Sequence, residues 1–416
     1  MNPTRPLRPD ELDAVVDLYL GVYPETHFCK SNLYAYFWKL FFATPWTDER
    51  FPSLVFEHRG RIAGFLGVVP RPLWKDQRSI TAAISCHFMV DPQARSRGAG
   101  LHLLRQFLQG RQDLSIAEGN HNSRKIWEAM GGRTSLLCSM QWLRILNPAS
   151  FARFKLRSRS RAAAGLLKPL ATAADAFLRA RSSQSLELEE APSVEALLSA
   201  FCAVSREYRL RPDYDQASFS WLLDILDGKK SLGALKKVIV HDHGAPIGWF
   251  IYYLKRNQIS KVVQVGATAS SYRTVLRELF AHAAGQGATA VTGRLEARAV
   301  EHVRNEHCLL TGGPWMLIHS PRPELEHAID SSDAFFTSLD SEWWINIQGE
   351  VAEEGSLSPA QMILTRLKPG LTATVARGAT VDPSTSIAGL KNKTEGFAEI
   401  LTSASSPNST NHRPGN

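Results

Sequence analysis

Two stretches of this chain, 184 residues apart, carry one pattern: LVFEHRGRIAGFLGVV (54–69) and VIVHDHGAPIGWFIYY (238–253). In each, two β-rich apolar runs flank a polar turn that ends in glycine, Gly60 or Gly244. A second glycine follows at Gly64 and Gly248. This is a hairpin signal. Downstream, VDPQARSRGAGLHLLRQFL (90–108) lies over VGATASSYRTVLRELFAHA (265–283) at an offset of 175, and a shorter second hairpin accounts for the change. A chain that repeats hairpin, strand, loop and helix in one order is constrained to two similar units. The predicted class is α/β (α+β), each unit a mixed, mostly antiparallel central sheet flanked by helices.

Other elements fit around the repeat. Residues 2–9 read as a short strand, and Asp10-Glu11 opens a helix through Tyr19, where free N–H groups favour negative charge. NLYAYFWKLFF (32–42) reads as an apolar helix, and SITAAISCHFMV (79–90) as a strand. The expected domains are 1–150, a linker helix at 151–183, 184–349, and a tail at 350–416. The tail is rich in Ser, Thr, Ala, Gly and Asn and reads as largely disordered, for want of apolar side chains to offset ordering entropy.

Charge narrows the partners. The net charge is +8, and residues 151–182 alone hold eight Lys/Arg against one Asp/Glu. That concentration differs from the broad basic face of a nucleic-acid-binding domain, so no nucleic-acid partner is expected. Leu166, Leu170, Ala173 and Phe177 share one helical face of the basic segment. Two readings stand: an interdomain helix packed on a domain, or a peripheral contact with an anionic membrane surface. Five scattered cysteines with no CxxC pair argue against a disulfide framework or a thiolate zinc site. No uncharged apolar run reaches membrane-spanning length, and the opening MNPTRPLRPDELD has no signal-type apolar core. The expected location is cytoplasmic.

One run carries chemistry: Val90-Asp91-Pro92-Gln93-Ala94-Arg95-Ser96-Arg97-Gly98-Ala99-Gly100-Leu101. It leaves an apolar strand and enters a helix with Leu101, Leu104, Phe107 and Leu108 on one side. Gly98 and Gly100 remove side chains where backbone N–H groups would approach a ligand, and a helix N-terminus favours phosphate. Arg95 and Arg97 add charge. The run lacks the GK[ST] ending of a Walker loop and is not a dinucleotide GxGxxG.

Arg95 to Gly100 resembles the [QR]-x-x-G-x-[GA] motif of the GNAT superfamily of acyl-CoA-dependent N-acyltransferases. Asn120, Trp127, Gly131 and Gly132 follow where that family commonly has Asn, then Tyr, then Gly-Phe. The resemblance covers residues 1–146. It implies that the strand at His87, Phe88, Met89 and Val90 offers backbone to the pantetheine arm of acetyl-CoA or another acyl-CoA. It further implies that Arg95, Ser96, Arg97, Gly98, Ala99 and Gly100 bind the pyrophosphate, and that Asn120 contacts the cofactor or a bridging water. The reaction implied is direct attack of an amine on the thioester, with no metal. The acceptor would be a small-molecule or saccharide amine.

Trp127 stands where the family has its Tyr acid, and an indole N–H is no proton donor. The strand 79–90 holds no Asp or Glu, leaving His87 as its one candidate base; a side chain packed in the sheet is the alternative. Cys86 points to the opposite face in a regular strand. In the second copy Ser270, Arg273 and Val275 stand over Arg95, Gly98 and Gly100, so its loop is lost. The whole is similar to tandem-GNAT acyltransferases with one degenerate half, including those of cellulose or exopolysaccharide biosynthesis. Two other classes remain: a non-catalytic acyl-CoA-binding scaffold, and a peripheral component of surface-polysaccharide biosynthesis. His241-Asp242-His243 reads as a solvated turn, and Trp343-Trp344 as closing the second unit.

Overall fold

The computed structural model describes residues 3–26, 28–157, 186–346 and 362–363. Most of the basic linker, with Leu166, Leu170, Ala173 and Phe177, and nearly all of the 350–416 tail lie outside the described residues.

In chain order the strands are β1 (Thr4–Pro6), β2 (Leu54–His58), β3 (Arg61–Lys75), β4 (Arg78–Val90), β5 (Leu114–Gly119), β6 (Arg133–Ser135), β7 (Met140–Ile145), β8 (Glu187–Glu190), β9 (Leu210–Pro212), β10 (Ala234–Asp242), β11 (Ala245–Leu254), β12 (Ile259–Ala267), β13 (Ala290–Arg294), β14 (Leu309–Gly312), β15 (Trp315–His319) and β16 (Met362–Ile363). They form two eight-stranded sheets. One runs β1-β2-β3-β4-β5-β15-β6 with β9 on β3; the other runs β16-β14-β7-β13-β12-β11-β10-β8. Neighbours are antiparallel except β4–β5 and β12–β13.

The repeat is visible in backbone detail. Arg59 and Gly60 take φ of 52° and 72°, and His243 and Gly244 take 50° and 78°. Both turns therefore use two left-handed residues, the arrangement whose twist matches a tight hairpin. The register slips after Phe56 in one hairpin and after Val240 in the other, again 184 residues apart. The later offset of 175 does not hold. Eight residues (91–98) join β4 to helix α3, with α1 (Leu12–Val22), α2 (Lys30–Phe41) and α3 (Ala99–Leu108) its predecessors and itself. Only four (268–271) join β12 to its counterpart, Tyr272–Gly285. The second connection is thus four residues shorter than the first, and Val275 sits inside a helix rather than in a loop. On α3, Ala99, Leu103, Leu104 and Phe107 are buried, whereas Leu101 is 52% exposed, against the sequence expectation.

Two strands change places. β7 leaves the N-terminal segment to pair between β13 and β14, and β15 returns from the C-terminal segment to pair between β5 and β6. Neither sheet is built from one contiguous stretch of chain.

Apolar residues sort into layers accordingly. Leu103, Phe107 and Trp127 fill the outer face of the first sheet. Phe250, Tyr252, Leu276 and Leu279 fill the outer face of the second. The largest cluster lies between the sheets. It joins Val69, Ile84 and Cys86 of one to Trp249, Ile251 and Tyr253 of the other, through α1, α2 and the segment Phe335–Ile345. Alternate residues of β11 therefore face different clusters, as a strand buried on both sides requires. Trp344 is fully buried in the central cluster, edge-on to Trp221 at 5.8 Å and under Arg71 of β3. The Trp pair thus joins the two halves. No described helix is long and apolar enough to cross a membrane, and all five cysteines are free.

Because the first sheet needs β15 and the central cluster needs both halves, residues 1–157 alone are expected to show no cooperative urea transition. Adding residues 186–346 in trans should restore one; a sharp transition of the fragment alone would contradict this account.

Candidate active site

The parallel pair β4–β5 is short. It is joined at Ala82–Leu114, Ala83–Ser115 and Ile84–Ile116, and beyond Ile84 the strands part. The cause lies in β4. Gly67 pairs with Cys86 and Phe65 with Met89, so His87 and Phe88 together oppose the single residue Leu66. His87 takes φ of 48°, a left-handed value that a β-bulge uses and a regular strand does not. Strict alternation fails there. Cys86 belongs to the central cluster, and the His87 ring enters the same cluster, 4.9 Å from Phe37 and 6.2 Å from Tyr19. The expected placement of Cys86 and His87 on opposite faces is thus corrected by the bulge.

Beyond the bulge, Phe88 and Val90 are half-buried and Met89 is buried. They lead to the 3-10 turn Pro92–Arg97 and to Gly98, which has φ of 71° and caps α3. The side chains of Arg95, Ser96 and Arg97 lie outside the described set. A Cβ at Gly98 would make only an ordinary contact, 3.9 Å from His102 Cδ2, but would be strained by that φ. A Cβ at Gly100 would lie 3.2 Å from the Phe88 ring. The helix start therefore rests on the strand it follows, with first-turn N–H groups that no helical carbonyl satisfies. Ala99 is buried beneath them. These residues fit an anionic phosphate group: a left-handed glycine, a helix of ten residues behind it, and two arginines in the turn.

The other predicted residues have local duties. Asn120 caps helix α4 (His121–Ala129), its Oδ1 accepting from Asn122 N at 2.9 Å and Ser123 N at 3.0 Å. Trp127 is 2% exposed, and its indole N–H donates to the Ile318 carbonyl at 3.0 Å across to β15. Any side chain at Gly132 would strike that indole, with a Cβ only 2.2 Å away. Trp127 and Gly132 thus fill one space together, and Trp127 is a packing residue. His241-Asp242-His243 spans the hairpin turn, with His243 in solvent and His241 3.1 Å from Glu189. No group of His, Cys, Asp or Glu among the described residues is placed to hold a metal.

One functional candidate escaped the sequence reading. Glu342, in the segment after the second sheet, places its carboxylate where β4 and β5 part. It accepts the Glu118 N–H at 3.0 Å and the His87 N–H. It is enclosed by protein yet still partly accessible. Burial, and then the charge of Glu118, push its pKa up to about 8; the two N–H groups pull the other way. Among the described residues no cation pairs with it: Arg294 is committed to Glu118 and to Ser341 Oγ at 2.7 Å. His87 is driven the other way, to about 3, first by burial and then by Lys229; its hydrogen bond to the Ile345 backbone opposes both. Its ring is therefore neutral at ordinary pH, with Nε2 buried and unpartnered. Only a polar residue beside a Trp pair marked Glu342 in the sequence.

The corresponding gap in the second sheet is closed differently. β12 and β13 pair only over Ile259–Lys261, then part. Arg298 fills that place, donating to the Val265 carbonyl at 2.6 Å and to Glu296 at 2.7 Å. Its guanidinium lies 4.1 Å from the Phe335 ring.

Residues 12–131 match the model of the Acetyltransferase (GNAT) family. That match covers most of the N-terminal segment up to β6 and none of the second sheet's strands. Three solved structures share the fold over 76% of this chain, and so beyond the GNAT match. One is a conserved protein of unknown function from Enterococcus faecalis, described as a probable N-acyltransferase (10% identity, 72% of that chain, TM-score 0.52). The others are GCN5-related N-acetyltransferases from Anabaena variabilis and Kribbella flavida (each 13% identity, 71% of that chain, TM-score 0.50). At such identities the likeness is one of fold. No curated protein matches the sequence.

Two outcomes follow from the GNAT half. The raised Glu342 pKa means that the folded state holds a proton the unfolded state releases between its ordinary 4.5 and about 8, so this group's stabilisation falls as pH rises through that window. His87 acts oppositely, its contribution being lost as pH falls from its ordinary 6.5 towards about 3. Urea midpoints of wild type minus Glu342→Gln, measured from pH 5 to pH 8.5, should therefore decline steadily; a flat difference would refute the assignment. Trp127→Phe should lower unfolding free energy by about 1–3 kcal/mol, from the stranded Ile318 carbonyl, without altering acyl-CoA affinity in calorimetry.

Proposed function

We propose that this protein is an acyl-CoA-dependent N-acyltransferase, passing an acetyl or other acyl group from CoA to a primary amine by direct attack. The observation that carries the proposal is the bulge at His87–Phe88. It parts β4 from β5 and leaves a strand edge that runs directly to the Gly98 turn and α3. On that edge the backbone of Phe88, Met89 and Val90 would hold the pantetheine arm, and the turn from Arg95 to Gly100 the pyrophosphate. The amine nitrogen bonds to the thioester carbon, the carbon–sulfur bond breaks, and the thiolate leaves with the bonding pair. A backbone N–H of the strand beyond His87 would stabilise the oxyanion between those steps.

We read the C-terminal half as a degenerate second copy of the same unit. Its shortened loop, and the guanidinium in its strand gap, leave no place for a nucleotide-bearing thioester. Its role would be to shape the acceptor side for a small-molecule or saccharide amine. We place the reaction in the cytoplasm, with membrane contact through 151–182 as a further proposal.

A non-catalytic acyl-CoA-binding scaffold is the second reading, favoured by Trp127 standing, fully committed to packing, where the family has its acid.

Calorimetric titration of acetyl-CoA and CoA into wild type and Gly98→Glu tests the site. Micromolar binding by wild type is expected, and the variant should lose at least about tenfold, roughly 1.4 kcal/mol. A folded wild type that binds neither ligand would overturn the proposal.

A further inference from the structure

Resting on the acyl-transfer reading above, we propose that Glu342 is a catalytic residue of the N-terminal site, taking a proton from the attacking nitrogen and returning one to the leaving sulfur. The GNAT match ends at residue 131, so this group comes from well outside the matched segment.

Position is the first argument. The Glu342 carboxylate spans the point where β4 and β5 part, bonded to one N–H from each strand, at His87 and at Glu118. A thioester lying along β4 brings its carbonyl to that same point. Competition is the second argument. The groups around Glu342 are Cys86 and His87 on β4 and Glu118 on β5, with Arg294 of β13 bonded to Glu118 and Lys229, after helix Gln216–Gly228, acting on His87. Glu118 is tied to Arg294. The Lys229 ammonium donates to the Asn346 carbonyl at 3.2 Å. The Cys86 thiol is pushed up by burial, and further by Glu342 itself. The His87 ring is caged by Phe37, Tyr19 and Tyr36. Among the described residues no cation pairs with Glu342, and a buried unpaired carboxyl is costly unless it has a task.

The chemistry balances without any further reagent. The amine nitrogen adds to the carbonyl carbon and becomes positively charged. The Glu342 carboxylate accepts its proton. The carbon–sulfur bond then breaks, and the carboxylic acid so formed protonates the thiolate, regenerating the carboxylate. An acidity near 8 suits a group that must both take and return a proton close to neutral pH.

The test compares wild type with Glu342→Gln, which keeps an oxygen for the two N–H groups. Acetyl-CoA is first titrated by calorimetry, and equal affinity is expected for both proteins. Failure of wild type to bind would sink the acyl-CoA reading itself, not the role of Glu342 within it. Thiol release from acetyl-CoA is then followed with hydroxylamine, with benzylamine, and with water as the sole nucleophile, across pH 6–9. Wild-type kcat/KM should rise with pH through a midpoint near 8. The variant should lose at least about 100-fold in kcat with little change in KM, and lose that pH-dependent rise. Equal rates and equal pH profiles for the two proteins would overturn the proposal. So would a wild type that binds acetyl-CoA yet releases no more thiol than buffer with any of the three nucleophiles.

Discussion

Exchange of strands between the two halves is the constraint on which the rest depends. β7 completes the far sheet and β15 the near one, so hydrogen bonds that would otherwise end at a sheet edge continue into a strand from the other half. An unpaired edge exposes donors and acceptors and invites aggregation. Here the exchange covers those edges and fixes the sheets so that their inner faces share one apolar cluster. Segments that return through that cluster, including Thr337–Ile345, are then forced to pass between the sheets.

That passage sets the polar chemistry of the interior. A segment crossing an apolar layer must satisfy its own polar groups, and it does so against both sheets. Asp340 accepts from Thr337 N and Thr337 Oγ1 at 2.8 and 2.9 Å, and lies 3.4 Å from the buried Arg71 guanidinium. Tyr214 donates to the same carboxylate at 3.2 Å. Two residues further on, Glu342 has no such cation. One carboxylate is compensated and reads as structural; its neighbour is solvated only by two backbone N–H groups at the mouth of a strand gap. Two positions along the chain thus separate a paired carboxylate from an unpaired one.

The two strand gaps make the same contrast between halves. Each arises where a parallel pair separates after three residue pairs. In the first, a carboxyl of raised pKa leaves the gap able to exchange protons. In the second, Arg298 is held by Val265, Glu296 and three aromatic rings, and the gap is locked.

The sequence by itself determined the repeated hairpins, the order of elements, the mixed sheet class and the run from β4 through Gly98 into α3. These rest on local physics: left-handed turn residues, alternation of apolar side chains, and glycine where backbone approaches a ligand. Tertiary structure alone decided the bulge at His87, the burial of Trp127 against Ile318, the shortened second loop, the strand exchange and the arrival of Glu342 between β4 and β5. A bulge depends on register against a partner strand, and the environment of a carboxyl depends on what surrounds it. Neither is encoded in the spacing of neighbouring residues, which is why a glutamate 224 positions beyond Glu118 could not be seen beside it until the chain was folded.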